Sequence, residues 1–177
     1  LDSPGEWYID RNSSTLYLWP TAPGEPQDLR LVTLDTFIKV QAEAKNIVIK
    51  DLTFIGCNST AVQLSKTEQC SVEHCTFTNV GDLTGSAIGI SGGSKNAARG
   101  NIIRGTGSNG ISISGGDRIK LVACDNIADN NDISGVGIFN KNACGIGITG
   151  CGITASHNLI VHSPRMGIQF SGNNIIL

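Results

Sequence analysis

The 177-residue sequence predicts an all-β fold, a parallel β-helix (solenoid) of about five turns behind an N-terminal β-hairpin segment. Two observations carry this. First, a small residue followed by apolar residues at alternate positions recurs along the chain. The copies are Ala61-Val-Gln-Leu64, Ala87-Ile-Gly-Ile90, Gly110-Ile-Ser-Ile113, Gly145-Ile-Gly-Ile148 and Gly167-Ile-Gln-Phe170. Strand side chains alternate faces, so both apolar residues of each copy point one way and the residue between them the other. Second, the chain holds 22 glycines, only 16% of its residues are charged, and no segment sustains a helical period. Such a composition fits short stacked strands rather than amphipathic helices.

Two strands, Glu6–Asp10 and Thr15–Trp19, flank the turn Arg11–Ser14, which is a hairpin signal. The hairpin holds all the tryptophans and tyrosines of the chain: Trp7, Tyr8, Tyr17 and Trp19. Such a cluster fits packing onto the end of a solenoid, with a sugar-stacking platform as the second reading. Thr21–Asp28 is a Pro/Gly-rich connector. Leu29–Leu34 and Phe37–Val40 read as lead-in strands. The expected division is residues 1–40, hairpin and lead-in strands, and residues 41–177, β-helix.

The predicted turns are Ile47–Ile49, Leu52–Phe54 and Val62–Leu64; then Cys70–Val72, Cys75–Phe77 and Ile88–Ile90; then Asn101–Ile103 and Ile111–Ile113; then Asn131–Ile133 and Ile146–Ile148; and last Asn158–Ile160 and Ile168–Phe170. Matching positions lie 22 to 35 residues apart, the variation falling in loops. One turn cannot bury its apolar face alone; stacking on its neighbours at roughly 4.8 Å does so. Asn101, Asn131 and Asn158 each stand two residues before an apolar residue that aligns with Phe54 and Phe77. In the stack they form an asparagine ladder, amide on amide, whose role is structural.

Several function classes are disfavoured. The formal net charge is -2 and no basic stripe is present, which argues against a nucleic-acid partner. No apolar run approaches the roughly 20 residues of a membrane span. No Gly-x-Ser-x-Gly, phosphate loop or dinucleotide fingerprint is found, and no cofactor is expected. The six cysteines (57, 70, 75, 124, 144 and 151) include no Cys-x-x-Cys pair, so no metal site is expected. Cys70 and Cys75 fall on positions filled by apolar residues elsewhere and read as buried thiols. Cys144 and Cys151 flank one strand and are candidates for a disulfide in an oxidising compartment. The chain starts at Leu1 and stops on Asn174-Ile-Ile-Leu177, which reads as the opening of another strand; the expectation is a fragment of a longer protein, truncated at its C-terminus.

The outward column of the recurring strand is Gln63, Gly89, Ser112, Gly147 and Gln169, flanked by Ser65, Ser91, Ser114, Thr149 and Ser171. An elongated polar ligand such as a glycan fits along that flat face, Ser112 and Ser114 included; a merely solvated face is the alternative. Four residues past the second apolar position lie Ser94, Asp117, Gly152 and Asn174, which puts Asp117 and Asn174 in one column, roughly 9–10 Å apart. Glycoside hydrolysis uses two carboxylates. Asp117 is the one candidate catalytic carboxylate here, and its column partner is an amide. Arg118 beside it favours the charged form if the side chains meet. The plainer reading of Asp117 is an aspartate closing a Gly-Gly turn. His157, His162 and Arg165 are candidate sugar-binding groups near Asp117, with His157 outward; solvated loop positions are the alternative. Asp129 and Asp132 could meet around Ca²⁺, although solvated turns suit them better.

Leu1–Asp10 with Leu16-Tyr-Leu-Trp-Pro20 resembles the opening segment of large secreted right-handed parallel β-helix proteins. Ser114-Gly-Gly-Asp-Arg118, Asn130-Asn-Asp-Ile133, Ser156–Ile160 and Phe170-Ser-Gly-Asn-Asn174 follow in the order of their central turns. The group includes proteins similar to glycoside hydrolase family 141. The resemblance implies a secreted, extracellular or cell-surface, carbohydrate-active protein with a polysaccharide or oligosaccharide partner, and Asp117 as its site residue. This chain departs from the group in having Asn174 where relatives have aspartate. It also reads Val161-His-Ser-Pro-Arg165 where they read His-Asp-Ala-Pro-His. The functions implied are hydrolysis of a polysaccharide along the sheet, or a non-catalytic glycan-binding or structural scaffold. A polysaccharide lyase would need basic residues on a face poor in lysine and arginine.

Overall fold

The structure, a computed structural model, describes residues 1–24 and 29–177; part of the predicted connector Thr21–Asp28 lies outside the described residues. The chain divides into two compact units, Leu1–Leu31 and Val32–Leu177. In the first, β1 (Trp7–Asp10) pairs antiparallel with β2 (Thr15–Leu18), Tyr8 opposite Tyr17 with their rings stacked 6.4 Å apart. Trp7, Tyr8, Tyr17 and Trp19 are all exposed.

The second unit is a parallel β-helix with three faces. Face A stacks β3 (Ile38–Val40), β6 (Val62–Ser65), β9 (Ile88–Ser91), β12 (Ile111–Gly115) and the N-terminal parts of the long strands β15 (Cys144–Ser156) and β17 (Met166–Ile176). Face B stacks β4 (Val48–Lys50), β7 (Ser71–Glu73), β10 (Ala97–Arg99), β13 (Asn126–Asp129) and the remainder of β15 and β17. Face C stacks β5 (Thr53–Cys57), β8 (Thr76–Val80), β11 (Ile102–Thr106), β14 (Asp132–Ser134) and β16 (Leu159–Val161). Among the described residues there is no helix.

The five recurring phrases are the five successive strands of face A from β6 onwards, in the register the alternation requires. Ile88, Ile111 and Ile146 stack inward as one column, and Leu64, Ile90, Ile113 and Ile148 as the next; all are buried. Phe54 and Phe77 stack at 5.0 Å on face C, above Ile103 and Ile133. Removing each such side chain from water stabilises the fold by ~1.5–3 kcal/mol.

Face B was only partly visible in the sequence. Strands β10 and β13 were not predicted, because their inward residues are Ala98 and Ala128, small and poor in strand propensity. Leu29–Leu34 forms no strand, whereas Ile38–Val40 is the first strand of face A.

The corners follow one rule. Lys95, Asp125, Gly152 and Asn174 all have φ between 53° and 68°, as do Asn46 and Gln69 before them in the same corner column. A second corner holds Asp51, His74, Gly100, Asn130 and His157, and a third Gly56, Asn79, Gly105, Gly135 and His162, again all left-handed. A left-handed residue turns the strand sharply without breaking the ladder, and Gly, Asn and Asp adopt it most readily.

The asparagine ladder is present. Asn101 Nδ2 donates to Asn131 Oδ1 and Asn131 Nδ2 to Asn158 Oδ1, both at 2.9 Å, while each amide also reaches a backbone carbonyl. The Cys75 amide donates to Asn101 Oδ1, so Cys75 tops this ladder. A second ladder, unforeseen in the sequence, joins Thr67, Cys70, Asn96 and Asn126 at the corner between faces A and B. The Cys75 position is therefore apolar on the preceding turn and amide on those that follow, whereas the Cys70 position is amide at Asn96 and Asn126 and apolar again at Ile153 and Ile175.

All six cysteines are buried free thiols. The disulfide considered for Cys144 and Cys151 does not form: both lie along the single extended strand β15 and are buried as free thiols. Burial pushes the Cys57, Cys75, Cys124 and Cys144 thiols up, so they stay protonated and unreactive.

Replacing Asn131 by Ala removes a side chain that accepts from Asn101 and donates to Ala98 and Asn158. Each buried group left unpaired costs ~1–3 kcal/mol, so Asn131→Ala is expected to lower the unfolding free energy by at least ~2 kcal/mol. Chemical denaturation measures this, and a loss within error of zero would show that the ladder does not hold the corner.

Candidate functional site

Face A carries an open groove of ≈ 420 Å³. Its floor is the outward column Gln63, Gly89, Ser112, Gly147 and Gln169, in register across five rungs. One side is the hydroxyl column, of which Ser91, Ser114, Thr149 and Ser171 line the groove; the other is Thr60, Thr84, Ser86 and Asn109. Asn109 is fixed from below, its Oδ1 accepting from the Cys144 amide at 3.0 Å, and its Nδ2 donates to Ser112 Oγ at 3.2 Å. No lining residue is ionisable. Amides and hydroxyls both donate and accept, so the groove can pair with a ligand rich in hydroxyl groups but offers no acid or base.

Thr60, Ser86 and Asn109 were not singled out in the sequence. The signal was there: each stands two residues before the first buried apolar residue of its strand, at Val62, Ile88 and Ile111.

Asp117 does not share a column with Asn174. Strand β12 leaves the register after Gly115, and the chain makes an inserted loop before Cys124 rejoins the stack under Cys151. The residue stacked beneath Gly152 and Asn174 is Asp125. Asp117 closes the inserted loop. Its backbone exchanges hydrogen bonds with Val122 at 2.9 and 3.0 Å, and its Oδ1 accepts from the amides of Ile119 and Lys120 at 2.9 and 3.0 Å. That geometry performs the turn-closing task of aspartate. Arg118 turns away from it and donates to Ser171 Oγ at 3.4 Å, which ties the loop to the side of the groove. Beyond it Ile119 is 95% exposed, followed by exposed Leu121 and Val122.

Of the other predicted site residues, Ser112 and Ser114 lie in the groove. Asn174 is a corner residue at the end of face A, with Nδ2 3.8 Å from Cys151 Sγ. The histidines are not brought to Asp117. His157 occupies the corner between faces B and C and His162 the corner after face C, whereas Asp117 projects between faces A and B. His162 Nδ1 meets Ser134 Oγ at 3.3 Å, and Arg165 donates to Asn142 Oδ1.

His157 instead joins a small polar cluster on face B. Its Nδ1 lies 2.9 Å from Asp129 Oδ1, to which Ser156 Oγ also donates at 2.7 Å. The His157 hydrogen bond, with that of Ser156, holds the Asp129 carboxyl below its ordinary value of 3.8. Asp132 pairs with Arg104 at 2.5 Å, so the two aspartates considered as a Ca²⁺ pair each face a different partner, Asp132 on face C and Asp129 beside His157. Among the described residues no three His, Cys, Asp or Glu side chains converge to hold a metal, and no helix is long and apolar enough to cross a membrane.

Three stacked faces, left-handed corners and a polar groove along one sheet define a parallel β-helix repeat protein. Residues 38–177 match the family described as right handed beta helix region, and the chain belongs to that family. Comparison with curated proteins and with solved structures returns no match.

A depressed carboxyl contributes stability that is complete above its ordinary value and is lost as pH falls through the lower folded value. His157→Ala is therefore expected to move the Asp129 carboxyl up towards 3.8 and to narrow that acid-side contribution. A carboxylate NMR titration reads the shift, and an unmoved Asp129 would remove His157 as its cause.

Proposed function

We propose that this protein binds an elongated, uncharged polysaccharide along face A, outside the cell or at its surface. The observation that carries this reading is the groove itself: it runs across five rungs, is lined chiefly by amides, hydroxyls and glycines with exposed Phe170 on its last rung, and holds no ionisable side chain. A charged ligand would find no counter-charge within it. The likeness of the opening segment and central turns to secreted β-helix proteins similar to glycoside hydrolase family 141 supports a carbohydrate ligand.

Hydrolysis is the second reading, favoured by one contact. Arg118 ties the loop that carries Asp117 to Ser171 at the side of the groove, so Asp117 is the carboxylate attached to that edge. Glycosidases set two carboxyl groups roughly 5–10 Å apart, and the groove lining supplies no second one. Binding without bond cleavage is therefore the better match to the geometry.

Both readings meet in one experiment. A glycan array is expected to show retention of neutral polysaccharides, and a reducing-sugar assay on the retained glycans is expected to show no release. Release that disappears in Asp117→Asn would establish the hydrolase reading, since asparagine keeps the Oδ1 acceptor and hence the turn. Retention of no glycan on the array would overturn both.

A further inference from the structure

We infer that the groove of face A is matched to a straight, β-1,4-linked pyranose chain lying along the solenoid axis, one sugar to each rung; this rests on the glycan-binding reading above. The floor of the groove has a period of two. Gln63, Ser112 and Gln169 bear side chains on the first, third and fifth of its rungs, while Gly89 and Gly147 leave the second and fourth bare. With strands ~4.8 Å apart, the floor repeats every 9–10 Å or so. Alongside it, the column Ser65, Ser91, Ser114, Thr149 and Ser171 has a period of one, with a hydroxyl on every rung.

A polymer that fits both columns repeats its backbone at every rung and its orientation at every second rung. Extended β-1,4-linked pyranose chains do this: each sugar advances by about one strand spacing and is turned over relative to its neighbour. An α-1,4-linked glucan curves and leaves a straight column after a few sugars.

The glycines are open floor, not turns. Neither Gly89 nor Gly147 has a positive φ, so backbone conformation does not require glycine at either. A Cβ at Gly89 would stand 3.1 Å from Thr60 Cγ2, and one at Gly147 would stand 3.1 Å from Asn109 Nδ2. Each bare rung is thus a notch bounded by a wall residue, and any side chain begins to fill it. Between the notches Ser112 Oγ is held by Asn109 Nδ2 at 3.2 Å. Lys39 continues the column one rung before Gln63, beyond the groove lining.

Calorimetric titration with cello-oligosaccharides of two to six sugars, and with maltohexaose as the curved control, tests this. Affinity is expected to rise with length to about the pentaose, one sugar for each rung, and then level off. Cellohexaose is expected to bind at least tenfold more tightly than maltohexaose. Gly89→Gln, which puts a Gln63-like side chain into the first notch, is expected to weaken cellohexaose at least tenfold with an unchanged melting temperature. Should Gly89→Gln lower the melting temperature, Ser112→Ala on the open floor gives the same readout, with a several-fold loss expected. Maltohexaose binding as tightly as cellohexaose, or wild-type affinity in both folded variants, overturns the inference and leaves glycan binding standing. Absence of binding to these probes, with other glycans retained on an array, also overturns the inference alone; absence of binding to any glycan removes the functional reading beneath it.

Discussion

The structure depends on one constraint: the backbone of each rung is satisfied only by the rungs above and below. Every strand of the solenoid donates and accepts along its neighbours rather than within its own turn. A residue that slips by one position would send its whole strand to the opposite face. Position-by-position repetition is therefore imposed on apolar columns, corners and polar ladders alike. It explains why a left-handed residue recurs at the same corner on each turn even when it is Lys95, His74 or Gln69, for which that conformation costs ~1–2 kcal/mol. The corner must turn there, and the stacked hydrogen bonds offset the strain.

The same constraint shapes the outer faces. Side chains in one outward column sit a strand spacing apart, so like charges would repel along the whole column. Face B resolves this by alternation: Lys50, Glu73, Arg99 and Asp129 stack with opposite signs, and His157 closes the series on Asp129. Face A is different. From Gln63 to Gln169 its outward column has no charge at all. A charged ladder satisfies itself, whereas a column of amides, hydroxyls and bare glycines leaves its hydrogen-bonding groups to the solvent or to a ligand. This contrast between two faces of one stack is the ground on which a ligand is proposed for face A.

Departures from repetition lie in the loops, where the ladder asks nothing. The loop from Gly116 to Ala123 is the case that matters. Counting residues forward from Ile113 put Asp117 in the corner column with Asn174, because counting assumes that each turn has the same length. The inserted loop breaks that assumption, and Asp125, not Asp117, resumes the column. The asparagine ladder survived the same kind of counting because Asn101, Asn131 and Asn158 were counted backwards to the nearest buried apolar residue, with no loop between.

The sequence by itself determined the fold class, the inward and outward columns of face A and the asparagine ladder at the corner between faces B and C. Each is set by local alternation, which the pleat of a strand converts directly into burial. It could not reveal strands β10 and β13 of face B, where Ala98 and Ala128 carry no strand signal of their own and are held extended by the rungs on either side. Nor could it decide which polar residues meet. His157 pairs with Asp129 on face B, Arg118 with Ser171 at the groove, and Asp117 with its own loop. Those contacts depend on loop length and on which corner a residue occupies, and only the stacked tertiary structure fixes both.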